Sequence, residues 1–241
     1  MSDSTPLFRE DVQGFLALVN SLPAPERLDP AEQRAGYLGL KAMTEADPRP
    51  MAVIKDLTCA GPAGPIPVRF YDVRESRDPS PVILFFHGGG FVIGDLDTHN
   101  SLCTELSTEL DLPVLAVHYR KAPEHPFPAA PDDCEAVARW LAASPAELDR
   151  QVTGLVTIGG SAGGNLATVT ARALMNKPAA APMLLQVLLY PATDESQDGS
   201  MATFAEKHLL TKVAMDWFYS LYLPESGNPR AFPIHAEAKG M

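Results

Sequence analysis

Gly159-Gly160-Ser161-Ala162-Gly163 sets a serine among small residues, with the apolar run Leu155-Val156-Thr157-Ile158 before it and a helix-like run from Asn165 to Asn176 after it. A strand, a tight turn through a serine and then a helix is the context of a nucleophile elbow. Bulky neighbours would keep so strained a turn from closing, which accounts for the glycines. A serine hydroxyl is a weak nucleophile near neutral pH and needs a base to take its proton. The tetrahedral intermediate of acyl transfer then needs donors for its developing negative charge. The backbone N–H of Ala162 is one candidate donor. His87-Gly88-Gly89-Gly90, on the loop after Val82–Phe86, offers the N–H groups of Gly88 and Gly89 as the others. An Asp or Glu and then a His should follow the serine in chain order, and 80 positions remain after Ser161.

These motifs need a scaffold. Val12, Phe15, Leu16 and Val19 form an apolar stripe at helical spacing, ended by Pro23 and Pro25. Asp29-Pro30-Ala31-Glu32 reads as an N-cap, a proline at the first helical position and a glutamate at the third, opening a helix to about Met43. Strand candidates follow at Val53–Leu57 and Val68–Val73, joined by the Gly/Pro-rich stretch Gly61–Pro65. Val82–Phe86, Val114–Tyr119, Leu155–Ile158 and Leu184–Tyr190 are nearly continuous apolar runs, as in strands covered on both faces. Helical segments at Ser101–Leu110, Asp132–Leu141 and Asn165–Met175 alternate with them, which predicts a mostly parallel sheet with helices on both sides. A last helix follows Thr211, with Met215, Phe218, Tyr219 and Tyr222 on one face.

At 241 residues, 46% apolar and 20% charged, the chain is expected to be an α/β globular protein with one sizeable core. Its net charge of −11 opposes nucleic acid or anionic membrane as a partner. Cys59, Cys103 and Cys134 are widely spaced and read as small buried hydrophobes in a reducing compartment. The amino terminus has no basic and apolar leader pattern, and no apolar run approaches the length of a membrane span, so a cytoplasmic location is expected.

The chain resembles the hormone-sensitive-lipase-like carboxylesterases of the α/β-hydrolase fold. The resemblance rests on His87 to Asp95, on Tyr119-Arg120-Lys121-Ala122-Pro123-Glu124-His125-Pro126-Phe127-Pro128-Ala129-Ala130, on Gly159 to Asn165 and on Tyr190-Pro191-Ala192-Thr193-Asp194. It implies hydrolysis of small, short-acyl carboxylic esters, with Ser161 as nucleophile and with no metal or organic cofactor. It also implies a cap built by residues 1–50 and by a second segment, 195–223, over a core within 51–241. The competing reading is a catalytically silent small-molecule-binding or regulatory protein on the same scaffold.

The sequence also departs from that family. Gly160 stands where an Asp or Thr usually precedes the nucleophile, which would loosen the elbow. His118 replaces a usual Asp and Lys121 a usual Leu; both read as packing variants, His118 as a local hydrogen-bonding residue. Family members continue after the region resembling Asn228 to Pro233 into two further strands, whose motifs supply the acid and the histidine; neither motif occurs here. Asp194 and His235 are the conceivable substitutes. With those strands missing, Met183–Tyr190 is expected to be an uncharged sheet edge, prone to association. That leaves three expectations: a piece of a longer protein, a homo-oligomer that covers the edge, or a poorly soluble product.

Overall fold

The computed structural model describes residues 9–21, 28–196, 199, 203–206, 208–223 and 227–236. Helices α1 (Glu10–Ser21) and α2 (Pro30–Thr44) precede strands β1 (Val53–Gly61), β2 (Gly64–Asp72) and β3 (Ser80–Phe86). Then come α3 (Asn100–Leu110), β4 (Val114–Val117), α4 (Ala129–Ala142), β5 (Val152–Gly160), α5 (Ala162–Asn176), β6 (Met183–Leu189) and α6 (Lys212–Tyr222). The Asp29 cap forms as its sequence requires: Oδ1 accepts from the N–H groups of Ala31 at 2.9 Å and Glu32 at 3.2 Å. Thr211 caps α6 in the same way, its hydroxyl accepting from Ala214 N–H at 3.2 Å. The helix stop at Pro23 and Pro25 lies outside the described residues, as does part of 195–223.

The six strands form one sheet in the order β1-β2-β4-β3-β5-β6. The pairings β3–β4, β3–β5 and β5–β6 are parallel, while β1–β2 and β2–β4 are antiparallel. The stretch Gly61–Pro65 is a correction to the sequence reading. Its residues belong mostly to β1 and β2, with Gly61 paired to Gly64, so only Pro62 and Ala63 turn. Proline and glycine composition marks a turn's neighbourhood better than its length. Two further boundaries shift, since β4 ends at Val117 and α4 begins at Ala129, a turn earlier than Asp132.

Alternation along β3 divides the core. Val82, Leu84 and Phe86 face one side, where they pack with Val137 and Leu141 of α4 and Leu166 of α5. Ile83 and Phe85 face the other, against Cys103 of α3 and its partly buried neighbours Leu102 and Leu106. Helices therefore cover both faces. Strand β6 is an outer strand of the sheet, and Leu184, Leu185 and Leu189 are exposed on it. The three cysteines are buried and unpaired.

Candidate active site

Phe86 and Gly159 are register partners on the adjacent parallel strands β3 and β5, so the chain leaves both strands at one level of the same sheet end. In such sheets the crevice beyond the carboxyl ends of the strands is where ligands bind. Ser161 follows β5 at φ 55°, ψ −119°, a left-handed conformation that a non-glycine residue adopts only when its surroundings enforce it. They do so here. Ser161 N–H donates to the Leu189 carbonyl at 2.9 Å, and its carbonyl accepts from Asn165 and Ala192 N–H at 3.1 Å each. A side chain on Gly163 would run into the Phe86 carbonyl, and one on Gly159 into the Gly163 carbonyl. The turn closes because both are glycine.

Asn165 ties the elbow to more distant parts of the chain. Its Nδ2 donates to the carbonyls of Ala192 at 2.7 Å and Ala231 at 2.6 Å, joining the first turn of α5 to the loop after β6 and to a segment 66 residues later. At Gly160 the space left by the absent family side chain is occupied: a Cβ there would lie 3.2 Å from the ring of Tyr190. Tyr190 itself has φ 38° and is 80% exposed, so its ring stands at the mouth of the site.

The loop from His87 to Gly94 is held by its carbonyls. The His87 oxygen accepts from the Tyr119 hydroxyl at 2.7 Å, and the Phe91 oxygen from Ala122 N–H at 3.0 Å. The Val92 oxygen accepts from Arg34 Nε at 2.8 Å, and the Gly94 oxygen from Lys121 Nζ at 2.6 Å. Gly89 O accepts from Val92 N–H at 3.0 Å and Ile93 N–H at 2.9 Å. With these oxygens engaged, the N–H groups of Gly88 and Gly89 donate to no described residue. Ala162 N–H is at the first position of α5, where no intrahelical acceptor exists, and Ser161 adds no side-chain cap. The three N–H groups singled out in the sequence thus belong to two segments in contact. A Cβ built on Gly88 would stand 3.0 Å from the Gly160 oxygen and 3.8 Å from Ser161 Cβ.

His87 is a support rather than a base. Its Nδ1 lies 2.8 Å from the Gly88 carbonyl, an acceptor only, so that nitrogen carries the proton. The ring stacks on Tyr119 at 4.2 Å, and full burial with His99 nearby drives its pKa well below the ordinary value. His87 stays neutral. Burial likewise takes His99 down to about 4 and, with Tyr190 and Asp95 nearby, lifts Tyr37 of α2 to about 12.

Neither of the two substitutes for acid and base makes a hydrogen bond to Ser161 Oγ among the described residues, although Ile234 N–H bonds the Thr193 carbonyl at 3.2 Å and so ties the segment of His235 to that of Asp194. Asp194 accepts from Ser196 N–H at 3.1 Å and from its hydroxyl at 2.7 Å, and His235 Nε2 is 3.5 Å from Glu195. Among the described residues, none hydrogen-bonds Ser161 Oγ, and no group of three or more His, Cys, Asp or Glu side chains has metal-holding geometry.

Two single residues differ from their sequence reading. Lys121 is a hydrogen-bond donor to the glycine loop rather than a packing variant. His118 bonds through its backbone, N–H to the Pro67 carbonyl at 3.0 Å, while its ring lines a groove. At Gly160 the ring of Tyr190 stands where a side chain would begin. Arg34 and Asn165 are site residues that sequence reasoning misses. An arginine one turn before Tyr37 in α2 and an asparagine in the first turn of α5 are the signals that could find them.

A family model described as alpha/beta hydrolase fold matches residues 83–241. The chain is 40% identical over 210 residues to a carboxylic ester hydrolase of Mycobacterium tuberculosis, LipN, covering 83% of this chain and 56% of that protein. It is 38% identical over 161 residues to an ethyl acetate hydrolase of Pseudomonas putida, covering 65% and 50%. The chain spans about half the length of the curated relatives it matches. Among solved structures, an ester hydrolase from the metagenome of Lake Arreo, complexed with a bipyridine phosphonate derivative, superposes with a TM-score of 0.88 at 34% identity, over 95% of this chain and 76% of that one. A hyperthermophilic esterase from Pyrobaculum calidifontis gives 0.87 at 31%, over 97% and 76%.

Proposed function

The chain belongs to the hormone-sensitive-lipase-like carboxylesterase family of the α/β-hydrolase fold, and on that premise we propose that Ser161 is the nucleophile of carboxylic ester hydrolysis. The observation that carries this reading is the left-handed Ser161 set against the Gly88 loop, with the N–H groups of Gly88, Gly89 and Ala162 left without described acceptors. Ser161 Oγ would attack the ester carbonyl, its proton passing to a base. The tetrahedral oxyanion would be held by those three N–H groups until the alcohol leaves and an acyl-serine remains. Losing one such donor typically raises the barrier by about 3 kcal/mol.

The substrate class proposed is small, short-acyl esters. The ethyl acetate hydrolase among the relatives supports it, as does the closing-in of Tyr190 and of Phe218, whose ring lies against Gly90. We assign residues 1–50 and 195–223 to a cap over a core within 51–241; the bonds from Arg34 to Val92, Ala122 and Glu124 support the first of these. No helix among the described residues is long and apolar enough to cross a membrane. The unpaired, buried cysteines favour a reducing, cytoplasmic setting.

One observation favours the second reading, a silent small-molecule binder: Asp194 and His235 are engaged with Ser196 and Glu195. Hydrolysis of p-nitrophenyl acetate by the chain, by Ser161→Ala and by His235→Ala separates the two. Turnover lost in Ser161→Ala supports the esterase. Binding of a phosphonate ester without turnover supports the silent form.

A further inference from the structure

A groove of about 290 Å³ opens beside the β1–β2 hairpin, and neither Ser161 nor the Gly88 loop lines it. Its walls carry Arg34, His118, Arg120, Lys121 and His125, with Glu124 and Asp133 as the acids. Arg34, Arg120 and Lys121 are its cations at neutral pH on a chain of net charge −11, since burial holds the His118 pKa below the ordinary value. Both acids are already matched. Glu124 takes two bonds from Arg34, each 2.7 Å. Asp133, fully buried, accepts from Arg120 at its backbone N–H, Nε and Nη2, between 2.8 and 3.1 Å.

Lys121 is the cation left over. Its described hydrogen bond goes to a neutral group, the Gly94 carbonyl, and it forms no ion pair among the described residues. A partly desolvated ammonium without a carboxylate in direct contact is unfavourable. Burial and the neighbouring Arg34 draw the Lys121 pKa down to about 8, against the pull of Asp95 and Glu124. Two of its three N–H donors remain, and Arg120 Nη1 makes no bond to a described residue.

We propose that this groove binds a small organic monocarboxylate, with Lys121 as its counter-charge. One ammonium with no ion-pair partner among the described residues matches a monoanion, whereas a dianion would also meet the exposed carboxylate of Glu124 on the same wall. Pro65, Ile66 and Pro67 supply an apolar side for a short hydrocarbon tail. Neither Ser161 nor Gly88 lines the groove, so the proposal does not rest on the esterase reading.

The test is an NMR-monitored titration of the full chain with sodium butyrate at pH 7, ionic strength held constant with chloride. Saturable shifts at residues of the groove are expected. Lys121→Gln, which keeps a donor for the Gly94 carbonyl, should weaken binding by about tenfold or more, and Lys121→Met likewise. Lys121→Arg should stay within about threefold of the parent, since the charge is kept. Ser161→Ala should bind as the parent does. Absence of saturation, undiminished binding by Lys121→Gln, loss of binding in Ser161→Ala, or inorganic phosphate binding more tightly than butyrate would each overturn the proposal.

Discussion

Gly88 lies against Ser161, close enough that a methyl group added to the glycine would stand 3.8 Å from the serine Cβ and 3.0 Å from the Gly160 oxygen. Two loops distant in sequence meet because β3 and β5 are neighbours and Phe86 is level with Gly159. Gly88→Ala should therefore keep the fold, since the nearest contact is tight but not prohibitive, and should lower any Ser161-dependent ester hydrolysis by about 100-fold through displacement of the oxyanion donors. Circular dichroism beside a nitrophenyl ester assay checks both halves.

The elbow's glycines make a sharper structural prediction. Gly163→Ala puts a methyl group into the Phe86 backbone carbonyl, which has no side chain to move aside. It should destabilise the chain by about 3 kcal/mol in urea melts. Gly36→Ala is the contrast: it is exposed within α2, meets nothing within 4 Å, and should stabilise by about 0.5–1 kcal/mol. Equal effects from the two would contradict the packing described.

Arg34 ties α2 to the glycine loop and to the Ala122–Glu124 segment at once. Arg34→Leu should release α2 with little effect on the sheet. Hydrogen exchange should speed up in residues 30–44 and 91–94 while β3 and β5 keep their protection. Unchanged exchange in α2 would show that the arginine is not its anchor.

Acid should weaken the fold before the carboxylates titrate. His99 is held at about 4, below the ordinary 6.5, so its contribution is complete above pH 6.5 and is lost as pH falls toward 4, when the unfolded chain takes up the proton and the folded chain does not. The loss from His99 alone is at most about 3 kcal/mol, and buried His87 acts in the same direction. Glu124 and Asp111, drawn down to about 2 by their arginines, lose their contribution only at lower pH. Urea midpoints at pH 7 and pH 4.5 should differ, and His99→Gln should narrow the difference.

Residues with local signatures are legible in the sequence. Asp29 announces α2, the apolar run of Val82 to Phe86 announces a strand covered on both faces, and the glycines around Ser161 announce the elbow. Contacts made across the fold are not. Tyr190 fills the space at Gly160, Arg34 reaches Val92 and Lys121 reaches Gly94, and no spacing rule links positions 27 to 58 residues apart. The hairpin turn at Pro62-Ala63 is obscured for the opposite reason: strong local composition hides two strands that pairing extends to the turn.

The most direct test compares p-nitrophenyl acetate hydrolysis by the chain and by Ser161→Ala at matched folded concentration. If Ser161 is the nucleophile, ester turnover by the chain depends on it, and Ser161→Ala loses that turnover while keeping the fold. Turnover that survives Ser161→Ala undiminished would contradict a nucleophilic Ser161.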